Sequence, residues 1–571
     1  MIHVLNYIKK HRFLLFVIIP AFLLYMLIIF PSGSNYCFEK SCGTFFWGVH
    51  GHDGIWHLAI SNFSFNSLPF KAPTYFGAQM SGYNYLFDLI IRGLSLIGIP
   101  AIITYFKIFP VVWFLIFTSL LIVLARKIKD TPVFVFLYLF FTFFVGSFSY
   151  FFTLLHDKSI WGSASLLATL TVHTMSNLMF AFSLPILLGV LIIIKNKKPD
   201  MRSVLMISAL NFINLGIKFY GGAITSFVIT IYLLSYVNKK TLLSSVKYLF
   251  ILGLTSILSI ILFYDPFSSV KSGSVFSFSP LSLIHTITEE PSLFYSSQLT
   301  NARYFLIQNG IGPKLILIEA LNIAIFLFFY LGVRFFGFIY IFWQILKKKI
   351  DRFSLNILLT SIFAFTLTAV LVQKGEWWNV IQFFFYSIFL SNIFLAQLSE
   401  KLFTSRSIIL KVFVFIIILL GIPTTVDIVK QYAVFPGSSY IPKQELNALS
   451  FLKDQPKGIV LTPIYDPSLK LNKGLNDLFR AEDSAYVSAF TGKQSYFANP
   501  HPLRLMGIDV NPRSLLIKSG DCKIMSEIDY VYELHTDSKI KQFLSCKNVI
   551  VKNIFANDLV SIFKVSQKVD K

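Results

Sequence analysis

The stretch LLFVIIPAFLLYMLIIFP, residues 14–31, contains no charged side chain and decides the fold class. A helix needs about 20 apolar residues to cross the hydrocarbon core of a bilayer. Runs of this kind recur along the chain until the composition changes abruptly at residue 428. The 571 residues are 55% hydrophobic and only 14% charged, whereas a soluble fold of this length must keep a polar exterior. The sequence therefore predicts a polytopic α-helical membrane protein.

The apolar runs predict eleven transmembrane helices. They cover residues 14–31, 101–125, 132–150, 175–194, 203–219, 223–238, 243–264, 316–346, 353–372, 380–398 and 407–426. The two short spans within 203–238 meet at Gly221 and Gly222, and a re-entrant hairpin fits the same sequence. Both arrangements return the chain to the same side of the membrane.

The polar connections between these spans form two sets of different charge. Six short connections hold 20 Lys and Arg residues, whereas the four longer ones (32–100, 151–174, 265–313 and 373–379) hold seven. Because basic connections face the cytoplasm, we expect a cytoplasmic N-terminus and an extracytoplasmic C-terminal segment, in a multi-pass protein of the plasma (inner) membrane. The net charge of +22 comes from separate clusters rather than one basic face, which argues against nucleic acid as a partner.

The four cysteines agree with this topology. Cys37 and Cys42 lie in the first external loop, and Cys522 and Cys546 lie in the C-terminal segment. Even numbers in each external segment are typical of an oxidising compartment and predict two local disulfides. The alternative is four unpaired thiols, since a Cys37–Cys42 bond closes a tight loop.

The first external loop, residues 32–100, is long enough to carry chemistry. It predicts two amphipathic helices along the membrane surface, at 53–66 and 83–97. The first begins at HGHDGIWH, residues 50–57. Asp53 is either an N-cap or a general base at the lipid boundary. The group His50, His52, Asp53 and His57 could also bind a divalent metal, although its spacing matches no strong motif.

Further polar side chains fall in external or membrane segments and are candidates for substrate binding. Lys218 interrupts an apolar stretch, where a cation needs protein, water or an anion as its partner, or snorkels to the interface. The substrate-binding candidates are His52, His57, Asp88, Asp157, Lys218, Tyr220, Arg303, Glu376 and Gln382.

This layout resembles the GT-C class of multi-spanning membrane glycosyltransferases, in particular bacterial mannosyltransferase-like members that depend on a polyprenyl-phosphate sugar. The resemblance lies in the large first external loop with an acidic residue near its start, here Asp53. Shorter likenesses are YNYLFD at 83–88, GIKFY at 216–220, WNVIQF at 378–383, and SAFTGK at 488–493 with Arg513 downstream. The sequence departs from some branches of this class in lacking a paired Asp-Asp or Asp-Glu at the first-loop site.

The resemblance implies a hexosyltransferase that moves a sugar from a polyprenyl-phosphate donor to an acceptor on the extracytoplasmic face. Asp53 would accept the proton of the acceptor hydroxyl. Lys218 and Arg303 would neutralise the lipid phosphate that leaves. Glu376 and Gln382 would position the donor or the acceptor.

Composition changes abruptly at about residue 428, which divides the chain into a transmembrane domain, 1–427, and a C-terminal domain, 428–571. The sequence of the C-terminal domain predicts a small extracytoplasmic α/β fold. Its expected helices are 443–454 and 502–519, and its expected strands are 458–463, 529–533, 548–552 and 559–565.

Two other functions fit parts of the sequence. A transporter or flippase of lipid-linked sugars would explain the spans and the intramembrane cations, although no internal repeat of the kind that transporters carry is present. A non-catalytic assembly or receptor protein is the third hypothesis.

Overall fold

A computed structural model describes residues 2–163, 170–269, 275–469, 475–536 and 538–568. These residues form two compact units. The first unit comprises Met1–Tyr25, Val112–Leu262 and Phe276–Gln431. The second unit comprises Met26–Val111, Phe263–Val275 and Tyr432–Lys571.

The first unit is helical. Its helices, four of which extend into sequence assigned to the second unit, are Ile2–Lys10, Leu15–Ile29, Phe109–Ile128, Pro132–Phe144, Tyr150–Asp157, Leu170–Ser176, Leu178–Ile194, Met201–Ile217, Phe219–Leu234, Leu242–Tyr264, Ser282–Glu289, Ser297–Gln308, Pro313–Leu331, Arg334–Leu346, Arg352–Val370, Ile381–Phe403, Ile408–Gly421 and Pro423–Tyr432. Strands Phe276–Phe278 and Leu371–Gln373 pair antiparallel.

Within the described residues, seven helices are long and apolar enough to cross a membrane. They are Arg12–Ile29, Ala101–Ile128, Leu242–Tyr264, Pro313–Leu331, Arg352–Val370, Trp377–Phe403 and Ile408–Tyr432. Leu170–Ser176 and Leu178–Ile194 pass the same test together, bent by 117°. Of four shorter apolar helices of 10–17 residues, Pro132–Phe144, Met201–Ile217 and Phe219–Leu234 fall in the three remaining predicted spans, and Arg334–Leu346 falls in the second half of the span predicted at 316–346. The count of eleven crossings stays a prediction.

In two predicted regions the structure breaks the helix at a position that differs from the prediction. The single helix expected at 316–346 is two helices that break at Gly332, whose φ is +57°. A Cβ at Gly332 would lie 3.0 Å from the carbonyl oxygen of Gly146, so this backbone approach requires glycine. The break expected at Gly221 and Gly222 falls instead at Lys218, where the backbone is extended. The two glycines therefore lie inside the second helix, Phe219–Leu234. A Cβ at Gly222 would lie 2.4 Å from Leu215, so glycine lets the first turn of this helix pack closely on the preceding helix, Met201–Ile217.

Side chains at helix starts explain several boundaries. The Asp200 side chain accepts from the backbone N–H of Ser203 at 2.7 Å, and the Ser203 hydroxyl oxygen accepts from the backbone N–H of Asp200, which together form a capping box. Asp351 accepts from the N–H of Ser354 at 2.7 Å and begins Arg352–Val370. Each cap satisfies an N–H group that a helix start leaves without an intrahelical partner.

The second unit is mixed α and β. Its helices are Ile55–Phe63, Leu86–Leu96, Ala101–Ile103, Pro266–Ser269, Lys443–Asp454, Leu478–Ala481, Tyr486–Thr491, Pro500–Leu505, Asn511–Lys518 and Ser538–Lys541. Its strands are Ser34–Phe38, Ser41–Phe46, Ser439–Pro442, Ile459–Leu461, Asn476–Asp477, Gln494–Ser495, Tyr530–Leu534, Val549–Ala556 and Val560–Gln567.

One sheet of the second unit joins the first loop to the C-terminal segment. Its order is Ser34–Phe38, Ser41–Phe46, Ser439–Pro442 and Asn476–Asp477. Gly43 pairs with Pro442, and a Cβ there would meet the Ile441 carbonyl oxygen, so only glycine fits this crossing of the strands. The first loop and the C-terminal segment are therefore parts of one compact unit. The predicted division at residue 428 stays a prediction.

The second sheet lies within the C-terminal segment. Its strand order is Val549–Ala556, Val560–Gln567, Tyr530–Leu534, Ile459–Leu461 and Gln494–Ser495. Val531, Met525 and Phe543 belong to the buried core on which it packs. Each of the four strands expected from the sequence is present here within four residues at each end. Both cysteine pairs, Cys37–Cys42 and Cys522–Cys546, are joined by disulfides.

Candidate active site

The segment that carries Asp53 is an irregular turn leading into a helix. Residues His50–Gly54 form a π-helical turn, and Ile55–Phe63 continues from it. The backbone N–H of Asp53 donates to the Val49 carbonyl at 2.9 Å. Gly54 stands at the start of the helix, and no side chain caps it. Asp53 therefore does not act as the N-cap that its sequence position also allowed, and its carboxylate is available for other contacts.

Asp53 and His52 form a hydrogen-bonded pair. His52 Nδ1 lies 3.0 Å from Asp53 Oδ1, and His52 Nε2 lies 3.0 Å from Asn499 Oδ1. The Asp53 side chain is 41% exposed and that of His52 is 21% exposed. The carboxylate thus reaches the surface while the imidazole is held on both sides.

Electrostatics keep this pair charged. Burial disfavours a charged imidazole, but the hydrogen bond to Asp53 and the charges of Asp53, Glu482 and Asp483 raise the pKa of His52 to about 9. Partial burial raises the pKa of Asp53, and the hydrogen bond from His52 with the charges of His52, His57 and His501 outweighs it, so the pKa lies below its ordinary value. At neutral pH the site presents an ionised carboxylate beside an imidazolium.

His57 and Asp88 form a second, buried pair. His57 Nδ1 lies 2.9 Å from Asp88 Oδ1, and the two side chains are 5% and 0% exposed. The His57 ring stacks on Tyr105 with centroids 5.8 Å apart. Burial raises the pKa of Asp88 against the opposing effect of His57. The pair links Ile55–Phe63 to Leu86–Leu96, the two helices expected along the membrane surface.

The histidines of the metal hypothesis have separate partners. His50 Nδ1 lies 2.8 Å from the Ser32 hydroxyl, whereas His52 contacts Asp53 and His57 contacts Asp88. In the part of the chain that the structure describes, no group of three His, Cys, Asp or Glu side chains is arranged to hold a metal ion. The hypothesis of a divalent metal at these four residues stays a prediction.

The C-terminal segment supplies site residues that sequence reasoning missed. Asn499 contacts His52, and the His501 ring lies 5.6 Å from the His52 ring, centroid to centroid. The Ser484 hydroxyl donates to the Gly51 carbonyl at 2.9 Å. Asn499 follows closely after the SAFTGK stretch, but no spacing in the sequence connects it to residue 52.

A polar cluster lies in the first unit and contains three predicted residues. Lys218 is 6% exposed, with its Nζ 5.6 Å from the centroid of the Tyr220 ring. The Tyr220 hydroxyl donates to Gln373 Oε1, and the Gln382 amide donates to Asn379 Oδ1. Asn379 Nδ2 also donates to Gln373 Oε1 at 2.8 Å. Gln373 and Asn379 complete a network that the sequence indicated only through the WNVIQF stretch.

The remaining predicted residues are Arg303, Asp157 and Glu376, and the backbone carbonyl of Glu376 accepts from the N–H of Asn379 at 3.0 Å. Arg303 is bonded to Glu289 at 2.6 Å and to Glu319 at 3.0 Å, and Glu319 also contacts His285. Asp157 is exposed at the end of Tyr150–Asp157. Glu376 is half-buried and precedes the turn Trp377–Val380.

The structure is similar to solved structures of GT-C glycosyltransferases, the class that the sequence resembles. The apo oligosaccharyltransferase of Archaeoglobus fulgidus is similar over 98% of this chain and 75% of its own, with a TM-score of 0.51 and 11% identity. Arabinofuranosyltransferase AftD from Mycobacteria matches 98% of this chain and 40% of its own (TM-score 0.46, 13% identity). ArnT from Cupriavidus metallidurans matches 97% of this chain and 98% of its own (TM-score 0.43, 11% identity). At these identities the likeness defines the fold alone. No protein-family model and no curated protein matches the sequence.

Proposed function

We propose that this protein is a membrane glycosyltransferase that moves a hexose from a polyprenyl-phosphate donor to an acceptor hydroxyl on the extracytoplasmic face. The observation that carries the proposal is the exposed, ionised carboxylate of Asp53, held by a charged His52 at 3.0 Å. The fold it shares with an oligosaccharyltransferase supports sugar transfer as the reaction class.

Asp53 acts as the general base. Its carboxylate accepts the proton of the acceptor hydroxyl while that oxygen attacks the anomeric carbon of the donor sugar. The bond between the anomeric carbon and the phosphate oxygen breaks, and the polyprenyl phosphate leaves with its negative charge. His52 keeps Asp53 ionised and oriented before the reaction.

Lys218, in the first unit, is a separate candidate, which we propose binds a lipid phosphate. It is a buried lysine in an otherwise apolar segment, beside the hydrogen-bonded network of Tyr220, Gln373 and Asn379. Such a lysine in a membrane protein commonly marks a substrate path. We leave Arg303 out of this role because two carboxylates already neutralise its guanidinium. No step is assigned to a metal.

Purified protein supplied with radiolabelled polyprenyl-phosphate hexoses and cell-envelope acceptors tests the proposal. We expect donor-dependent transfer by the wild type and a loss of about 10²- to 10⁴-fold in D53N, because that is the usual contribution of a general base. D130N is the matched control, since Asp130 is an exposed partner of Arg126.

Transfer by D53N at the wild-type rate would contradict the mechanism. Movement of a lipid-linked sugar between leaflets without transfer would replace the proposal with the flippase.

A further inference from the structure

The imidazole of His52 is held between two oxygen acceptors. Nδ1 faces the Asp53 carboxylate and Nε2 faces the side-chain oxygen of Asn499, each at 3.0 Å. A neutral imidazole carries one N–H and can donate only once. Both contacts are therefore satisfied when both nitrogens carry a proton, and Asn499 is the second acceptor that this state requires.

The backbone at Asn499 is held in an uncommon conformation. Its φ is +46° and its ψ is 67°, in the left-handed region where Asn is among the better tolerated residues. Its N–H donates to Asp483 Oδ1 at 3.1 Å. Asn499 is 0% exposed and lies directly before Pro500–Leu505. The surrounding structure thus fixes where its amide points.

Only one end of the Asn499 side-chain amide makes a hydrogen bond within the described residues. Among the residues that the structure describes, its buried Nδ2 has no hydrogen-bond partner, while its oxygen faces His52. Leaving a buried N–H unpaired costs free energy. Together with the left-handed backbone, this pattern is typical of a residue whose conformation serves a site.

Attachment of the C-terminal segment to the first loop is provided by other contacts. Ser484 donates to the Gly51 carbonyl at 2.9 Å, and Asn62 Nδ2 donates to the Ala489 carbonyl at 2.7 Å. Strand Ser41–Phe46 pairs with Ser439–Pro442. These contacts attach the C-terminal segment to the first loop without Asn499. The contact between Asn499 and His52 therefore needs a different explanation.

We propose that Asn499 is a positioning residue of the transferase site, whose side-chain oxygen orients His52 and, through it, the base Asp53. This inference rests on the proposed function and deepens it, because it makes the C-terminal segment part of the catalytic apparatus. Asp483 has a supporting role, since its carboxylate accepts from the backbone N–H that holds Asn499 in place.

The test compares N499L, which keeps the size but removes the acceptor, with N499D, which keeps an oxygen acceptor. We expect N499L to lower kcat by about 10²-fold, the scale of a misplaced catalytic group, with the KM for the donor within about twofold of wild type. N499D should restore most of kcat. In an H52A background, N499L should cause no further loss, because its effect passes through His52. N62A is the matched control, since it removes a docking bond that does not touch His52.

An equal loss from N499L with and without His52, or N499D as inactive as N499L, would overturn the inference. These outcomes are separate from failure of the proposed function, which D53N reports. If the wild type transfers no sugar, ¹⁵N NMR of histidine-labelled protein still decides the point. Two protonated nitrogens on His52 at pH 7.5 in wild type, lost in N499L, support the role of Asn499. An unchanged His52 spectrum contradicts it.

Discussion

The pair His52 and Asp53 shows how two neighbouring residues can determine each other's charge. The negative groups around His52 raise its pKa to about 9, and the resulting cation lowers the pKa of Asp53. A general base must be ionised at the working pH. At pH 7 the carboxylate is therefore ready to accept a proton, although it is a weaker base than an isolated aspartate.

Replacing His52 should change the pH dependence of transfer. In H52Q the hydrogen bond can persist but the positive charge is gone, so the pKa of Asp53 rises. Because the base works only when ionised, the acid limb of kcat/KM against pH should move to higher pH. Measurement from pH 4 to 8 for wild type and H52Q checks this. An acid limb at the same pH in both proteins would show that His52 does not tune Asp53.

Part of the site was predictable from local sequence. Asp53 and His52 are adjacent, and a carboxylate at the start of a surface helix indicates chemistry in the first loop. Asn499 could not be found in this way because it lies 447 residues from His52, and only the tertiary fold joins them. Arg303 shows the opposite case. Its charge suggested a phosphate contact, but Glu289 and Glu319 engage it, and one sequence does not reveal such pairing.

At the scale of elements, the turn His50–Gly54 is confined by the C-terminal segment. A Cβ on Gly51 would lie 2.8 Å from both Leu478 Cδ1 and the Ser439 hydroxyl oxygen. Contacts this short require movement of the neighbours or of the turn. Glycine at position 51 therefore lets the turn lie close enough for His52 to contact Asn499.

Substitution of Gly51 should therefore affect catalysis through packing. We expect G51A to lower kcat by about tenfold or more, because the turn that carries Asp53 is displaced. G93A is the control, since Gly93 is an exposed helical residue with nothing within 4 Å of its added Cβ. Alanine there should leave activity unchanged and favour the helix slightly. Steady-state kinetics on both variants checks the prediction, and equal activities would contradict it.

The sequence predicted elements well where periodicity was strong. The helix expected at 443–454 is observed with those bounds, as Lys443–Asp454. The break at Gly332 was missed because hydropathy continues through it, and the reason for the break is a close approach to Gly146 from a distant part of the chain. Arg334 follows that break and is fully buried, donating to the Val145 and Gly146 carbonyls and to Asn392. Its partners satisfy the intramembrane charge that the sequence could only note.

At the scale of the whole molecule, the charge asymmetry of the connections predicts which side of the membrane the site faces. Alkaline phosphatase, which is active only outside the cytoplasm, should be active when fused after residue 568 and inactive after Lys349, which lies in a basic connection. Green fluorescent protein should give the reverse pattern. Activity after Lys349 or inactivity after residue 568 would reverse the orientation and remove the extracytoplasmic site.

The second unit is assembled from three separate parts of the chain, Met26–Val111, Phe263–Val275 and Tyr432–Lys571. This has a consequence for the nascent protein. At synthesis rates of about 5–20 residues per second, the 447 residues between His52 and Asn499 take roughly 20 to 90 s to make. During that interval Asp53 is already translated but its neighbours from the C-terminal segment are not. A copy truncated midway lacks Asn499, so under the proposed mechanism we expect it to be without the contact that holds the second ring nitrogen of His52.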